Sequence, residues 1–167
     1  LTSLVREYEN IVIGRTFSKA FGLAGMRIGY AVAPEWIASQ FLRVISPFSA
    51  CIISEIAAVA ALNDPKYLQK SIQMVQTERQ KLVKAILETT PYKTWPSEGN
   101  FILVDVSPNT SKKAVDTFLK CGIIVRSCDS FQNIGQNTIR ITVGTKKMNR
   151  CILKAFEALK NEKLSQP

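Results

Sequence analysis

One lysine set among hydroxyls, glycines and an arginine offers the first chemistry in this chain. Within Asn10–Val32 the apolar run Ile11-Val12-Ile13 leads into Thr16-Phe17-Ser18-Lys19. A small-residue segment with Gly22 and Gly25 follows, and Arg27-Ile28-Gly29-Tyr30 opens a second run. That order places Lys19 between two buried strands. Partial desolvation at a strand end, beside cationic Arg27, disfavours the ammonium form and raises the population of the nucleophilic amine. Such an amine suits Schiff-base chemistry. The hydroxyls of Thr16 and Ser18, the backbone N–H groups of a glycine-bearing loop and the fork of Arg27 make a seat for a phosphate. A phosphate beside a reactive lysine suggests pyridoxal phosphate.

The pattern T-x-S-K followed by G-L-A-G-x-R-x-G-Y, spanning Thr16 to Tyr30, resembles the cofactor-lysine segment of fold-type I pyridoxal-phosphate aminotransferases. Ser18-Lys19-Ala20-Phe21-Gly22-Leu23-Ala24-Gly25 is most similar to the histidinol-phosphate aminotransferases. The resemblance implies that Lys19 carries the cofactor covalently and that Thr16, Ser18 and Arg27 bind its phosphate. Other phosphate loops fail on spacing. A nucleotide P-loop needs G-x-x-x-x-G-K-[ST], but serine precedes Lys19 and no hydroxyl residue follows it. A dinucleotide fingerprint needs G-x-G-x-x-G, whereas Gly22, Gly25 and Gly29 stand three and four residues apart.

Composition narrows the remaining classes. The 167 residues are 46% hydrophobic, enough for a substantial core. The most apolar run, Ala50–Leu62, is interrupted by Glu55 and too short to span a bilayer, and no secretory signal is visible. A soluble, cytosolic protein with no membrane partner is expected. Histidine is absent, which removes Ser-His-Asp and Cys-His hydrolase arrangements from this chain. Cys51, Cys121, Cys128 and Cys151 lack metal-like spacing, so no metal site is expected. Cys51, Cys121 and Cys151 lie in apolar surroundings and read as reduced core cysteines. The net charge of +9 allows attraction to nucleic acid or to phosphorylated small molecules. The basic residues are spread over several predicted helices and form no nucleic-acid motif, so no nucleic-acid partner is expected.

The elements that must position Lys19 follow from periodicity and breakers. Leu1–Glu9 reads as the end of a helix, Ile11–Arg15 as a strand covered on both faces, and Met26–Ala33 as a second strand closed by Pro34. A short helix runs from Glu35 towards Pro47 and a second over Ala50–Asn63. A long amphipathic helix spans Pro65 to about Thr89, with Leu68, Ile72, Val75, Leu82 and Ile86 inward and Arg79 among the outward polar residues. Trp95-Pro96 turns into the loop Ser97–Asn100, and Phe101–Val106 is a buried strand. Ser111 caps a helix to Cys121, stopped by Gly122. Ile123–Arg126 and Thr138–Val143 are strands, and a final helix, Lys146–Lys163, buries Met148, Ile152, Leu153, Phe156 and Leu159 before a polar tail.

Thr138-Ile139-Arg140-Ile141-Thr142-Val143-Gly144 resembles a strand of the histidinol-phosphate aminotransferases, a match that continues to Arg150. It implies that Arg140 binds a substrate carboxylate, and a planar fork opposite in direction to Ile139 and Ile141 suits that task. By the same resemblance Arg126 lies near the substrate phosphate, although a strand-end arginine is equally a solvated charge. Asn100 matches a motif near the site and is equally a turn residue.

The fold implied is α/β: the C-terminal part of a pyridoxal-phosphate transferase fold, with the end of a large α/β/α cofactor domain plus an α+β small domain. Residues 1–88 belong to the large domain with its linking helix and 89–167 to the small one. The implied activity is transamination of an amino-acid or amino-phosphate substrate with a 2-oxo acid, in particular histidinol phosphate with 2-oxoglutarate in histidine biosynthesis, by a homodimer. Because the family draws further cofactor contacts from upstream sequence, this chain alone is expected to be weakly active or inactive. The alternatives are a threonine-phosphate decarboxylase-like enzyme or a non-catalytic basic binding domain.

Overall fold

Proline and glycine breakers set the order of elements. The computed structural model describes residues 2–161, and the chain divides into two units, Leu1–Ile72 and Gln73–Pro167.

In the first unit a 3-10 turn, Thr2–Arg6, precedes β1 (Ile13–Thr16). β1 pairs antiparallel with β2 (Gly29–Val32), from Ile13 opposite Val32 to Thr16 opposite Gly29. The close approach requires glycine, since a Cβ at Gly29 would stand 2.6 Å from the Arg15 carbonyl oxygen. Pro34 then ends the strand and begins α1 (Glu35–Val44), followed by α2 (Ile52–Leu62) and α3 (Pro65–Thr89), which crosses into the second unit. Ser54 Oγ on α2 donates to the Met26 carbonyl at 2.7 Å, tying the helix to the turn before β2.

The first strand is not covered on both faces. Its ladder begins at Ile13, so Ile11 and Val12 precede it, and the exposed Gly14, Arg15 and Thr16 offer no apolar side chain to bury. The expected opening helix is only a 3-10 turn, and Leu1 lies outside the described residues. Helix α1 buries none of its residues and α2 buries only Ser54 and Ala58, leaving Ile52, Ile53, Ile56 and Val59 exposed.

The second unit holds a four-stranded antiparallel sheet in the order β3-β4-β6-β5, with β3 at Lys93–Thr94, β4 at Phe101–Asp105, β5 at Arg126–Ser127 and β6 at Thr138–Thr142. Helix α4 (Ser111–Lys120) lies between β4 and β5, and α5 (Lys146–Asn161) follows β6. Strand alternation puts Ile102, Val104, Ile139 and Ile141 on one face. There they join Leu82 and Ile86 of α3, Phe118 of α4 and Ile152, Phe156 and Leu159 of α5 in one core. Each such side chain contributes about 1.5–3 kcal/mol on leaving water. Phe118 and Tyr92 both contact the Phe156 ring, with centroids 5.0 and 5.6 Å away. The alternate positions Phe101, Leu103 and Arg140 form the other face, which stays partly accessible.

Several boundaries move for local reasons. Thr110, not Ser111, caps α4: its Oγ1 accepts from Lys113 N at 3.2 Å, while Ser111 is buried and donates to Asp129 Oδ1 at 2.6 Å. The strand expected from Ile123 starts only at Arg126, because Ile124 is 89% exposed and outside the ladder. Met148 is 58% exposed; Asn149, whose amide grips the preceding turn, takes the inward place in that part of α5. Arg79 is buried rather than solvated, with Nη1 donating to the Gly99 carbonyl at 2.8 Å and Nη2 to Glu98 Oε2 at 3.0 Å. Satisfied donors make that burial tolerable. Cys51, Cys121 and Cys151 are exposed and only Cys128 is buried. Cys51 and Cys121 are helix-flanking positions and Cys151 is on the outer side of α5, so apolar neighbours in sequence did not place them inside. Helix α5 is described as far as Asn161, and Lys163 and the tail lie outside the described residues.

Candidate active site

The loop joining β1 to β2 carries Lys19. Phe17 anchors it: the ring is 3% exposed and packs on Phe21 and Tyr30, with centroids 4.8 and 5.8 Å away. Its backbone N–H donates to Ile28 O at 3.2 Å and its carbonyl accepts from Leu23 N at 3.0 Å, closing both sides of the loop. A turn is closed within it by Gly22 N donating to Lys19 O at 2.9 Å, with Gly22 at φ 72°. That left-handed conformation favours glycine. Ser18 N donates to Thr16 Oγ1 at 3.0 Å, which leaves both hydroxyl protons free to donate elsewhere.

Arg27 adopts the left-handed region, φ 50° and ψ 43°, at the end of the 3-10 turn Ala24–Met26. A non-glycine residue there carries strain of order 1 kcal/mol. Its Nη1 donates to Ala24 O at 2.9 Å, fixing the guanidinium against its own turn. Among the described residues it makes no ion pair. No acidic residue occurs between Glu9 and Glu35, so Arg15, Lys19 and Arg27 stand uncompensated in the local sequence. Hydroxyl, amine and guanidinium donors without a competing carboxylate fit a phosphorylated aldehyde cofactor. Lys19 and Arg27 are exposed, so the desolvation expected at the lysine is not provided by the described residues.

In the second unit, β5 and β6 bring Arg126 and Arg140 together. They are directly opposed partners of an antiparallel ladder and so share one face of the sheet. Neither has a carboxylate partner among the described residues. Each guanidinium instead lies over an aromatic ring, Arg140 at 5.2 Å from the Phe101 centroid and Arg126 at 4.8 Å from that of Phe131. Cys128 lies within the field of both; burial pushes its thiol up, while the charges of Arg140 and Arg126 pull it down. Asn100 contributes its carbonyl, which accepts from Val143 N at 2.9 Å and continues the β4–β6 ladder.

Sequence reasoning named both arginines but not their pairing, nor the rings beneath them. The only signal for Phe101 was its alternation with Ile102; nothing local marked Phe131. Among the described residues there is no cluster of side chains that could hold a metal ion, and no helix long and apolar enough to cross a membrane.

The chain as a whole is similar to known proteins. The profile of the family "Aminotransferase class I and II" matches residues 2–156. A histidinol-phosphate aminotransferase of Methanosarcina mazei is 49% identical over 162 residues, covering 97% of this chain and 43% of the relative. Its counterpart in Methanocaldococcus jannaschii is 36% identical over 158 residues, covering 95% of this chain and 42% of the relative. The crystal structure of the histidinol-phosphate aminotransferase from Clostridium acetobutylicum superimposes with a TM-score of 0.91 at 23% identity, covering 97% of this chain and 49% of that one. The Sinorhizobium meliloti enzyme, solved in complex with pyridoxal-5'-phosphate, gives 0.82 at 29% identity, covering 92% of this chain and 42% of that one. The chain thus spans less than half the length of these relatives. With a family match running nearly from end to end and close relatives throughout, the chain belongs to the aminotransferase class I and II family.

Proposed function

We propose that this chain forms part of a pyridoxal-phosphate-dependent aminotransferase that transfers the amino group of histidinol phosphate to a 2-oxo acid, 2-oxoglutarate in particular. Residues 1–88 belong to its cofactor domain and 89–167 to its small domain, and the complete enzyme is a homodimer. The observation that carries this reading is Lys19 on an acid-free loop between paired strands, flanked by Thr16, Ser18 and Arg27, in a chain 49% identical to a histidinol-phosphate aminotransferase.

Lys19 would hold the cofactor, and the hydroxyls of Thr16 and Ser18 with the guanidinium of Arg27 would bind its phosphate. When bound, pyridoxal phosphate supplies an electron sink that makes the substrate α-proton removable. Lys19 Nζ would be the base that takes that proton. Arg27, already fixed to Ala24 O, offers its remaining N–H groups without a further loss of freedom. Arg140 and Arg126 orient the substrates. Histidinol phosphate presents a phosphate and no carboxylate, whereas the 2-oxo acid presents carboxylates, and guanidinium forks accept either.

Borohydride reduction of the protein in the presence of pyridoxal phosphate, followed by peptide mapping, tests the assignment. The label is expected on the peptide carrying Lys19 and is lost in Lys19→Ala, together with the visible absorbance of the bound cofactor. A label on another peptide refutes it. Product analysis with histidinol phosphate and with threonine phosphate separates transamination, which yields a phosphorylated oxo compound, from decarboxylation, which releases carbon dioxide.

A further inference from the structure

Two cationic side chains that leave one face of a sheet from directly opposed positions need something to keep them in place. Arg126 and Arg140 are opposed across the β5–β6 ladder, an arrangement that disfavours pairing of the strands, and neither makes an ion pair with an acid among the described residues. A carboxylate would pin a guanidinium but would occupy its N–H donors. An aromatic face attracts the cation through the ring quadrupole and leaves those donors outward.

Both arginines have such a face. Phe101 is opposite Thr142, so Arg140, two residues earlier on β6, is its diagonal neighbour on the same side of the sheet. The ring is itself held. Ser97 Oγ donates to the Phe101 carbonyl at 2.6 Å, and the ring lies so close to Gly99 that a Cβ there would be 3.3 Å from it. Arg79 fixes Gly99 in turn by donating to its carbonyl at 2.8 Å. Phe131 is brought beneath Arg126 by the turn after β5, closed by Phe131 N donating to Cys128 O at 2.9 Å. Cys128 N donates to Thr138 O at 2.9 Å, which binds that turn to β6.

We infer that Phe101 and Phe131 are positioning residues: their rings hold Arg140 and Arg126 as a paired, donor-free-to-bind anion receptor without neutralising either charge. This rests on the reading of the two arginines as the substrate-anion site. It adds that the affinity of that site for a phosphate or carboxylate depends on the aromatic faces behind it.

The test is a titration of the chain with inorganic phosphate at constant ionic strength, followed through the Nε–Hε resonances of Arg126 and Arg140. Before phosphate is added, both resonances are expected to show a ring-current shift, and both move on titration. Phe101→Leu and Phe131→Leu each weaken phosphate binding about 3- to 10-fold, while the backbone amide spectrum of the sheet is retained. Phe101→Tyr keeps the ring face and restores the affinity. Phosphate affinity unchanged in both leucine variants overturns the proposal. So does a wild-type Arg140 resonance without a ring-current shift, a measurement that needs no variant to fold. Loss of the borohydride label from Lys19 would sink the aminotransferase reading and leave this binding result unaffected.

Discussion

Asn149 should be among the most sensitive polar residues of the second unit, and its substitution gives a graded test of how the turn after β6 is held. Its side chain is 5% exposed. Oδ1 accepts from Gly144 N at 3.0 Å, and Nδ2 donates to Gly144 O and to Glu78 Oε2, each at 3.1 Å. The amide thus grips both polar groups of Gly144 and joins α5 to a carboxylate on α3 that is itself 8% exposed. Asn149→Ala removes two ordinary hydrogen bonds, each worth about 1 kcal/mol net, and one to a carboxylate worth about 1.5–3 kcal/mol. These terms are not additive, and water can reach a newly opened site, so the expected loss is about 2–4 kcal/mol. In a unit of this size that lowers the midpoint by about 8–30 °C.

Asn149→Asp is the sharper variant. It keeps the shape but sets an oxygen against Glu78 Oε2 where a donor stood. Two carboxylates in contact raise the proton affinity of the pair. Protonation therefore restores stability at low pH, and stability is lost as pH rises through the raised value. Hydrogen exchange at the Ile139 and Ile141 amides, measured from pH 5 to 8, reads this unit separately from the first. A loss below about 1 kcal/mol in Asn149→Ala, or an Asn149→Asp protein whose stability does not fall with rising pH relative to wild type, would refute the reasoning.

Gly29→Ala places a methyl 2.6 Å from the Arg15 backbone carbonyl, where no flexible side chain can yield. The β1–β2 ladder must shift, at a cost of about 1–3 kcal/mol, read as faster exchange of the Thr16 and Phe17 amides and weaker cofactor trapping at Lys19. Thiol alkylation should follow exposure and thiolate character. Cys51 is exposed at the N-terminus of α2, and its contacts with the side chain and then the backbone N–H of Ser54 hold its thiol below the usual range, so it reacts first. Cys128, 1% exposed and pushed up by burial, reacts last and only as its unit opens. Mass spectrometry of partially labelled protein gives the order, and early labelling of Cys128 would contradict the described packing.

Features encoded by neighbouring residues were legible before any coordinates. The breaker Asn63-Asp64-Pro65 and the apolar spacing that follows locate α3 at both ends, and alternation around Ile139 and Ile141 locates β6. The Lys19 loop was legible because its hydroxyls, glycines and arginine lie within one short stretch. Burial of charge was not. Arg79 reads as an outward position on an amphipathic helix, yet its partner is Gly99, 20 residues away in sequence, and the neighbouring buried Glu78 is met by Asn149, 71 residues away. Periodicity reports which side of a helix is apolar; it carries nothing about a distant loop that arrives to satisfy a charged group. The cysteines fail for the related reason that apolar neighbours along the chain do not determine which way a side chain faces.

The same distinction explains why the arginine pair emerged only from strand pairing. Each arginine had a rationale of its own in the sequence, but a single guanidinium on a strand is an unremarkable surface charge. Opposition across β5 and β6 turns two such charges into a mutual cost of a few tenths to about 1 kcal/mol, and neither is held in an ion pair among the described residues. Aromatic faces recover part of that cost without engaging a carboxylate. An anion bridging both forks would remove the remainder, and for a ligand at a hundred times its dissociation constant would stabilise the unit by about 2.7 kcal/mol. Phosphate should therefore raise the midpoint of the wild-type second unit more than that of Arg126→Gln, and an equal rise in both would show that the two charges do not act as one receptor.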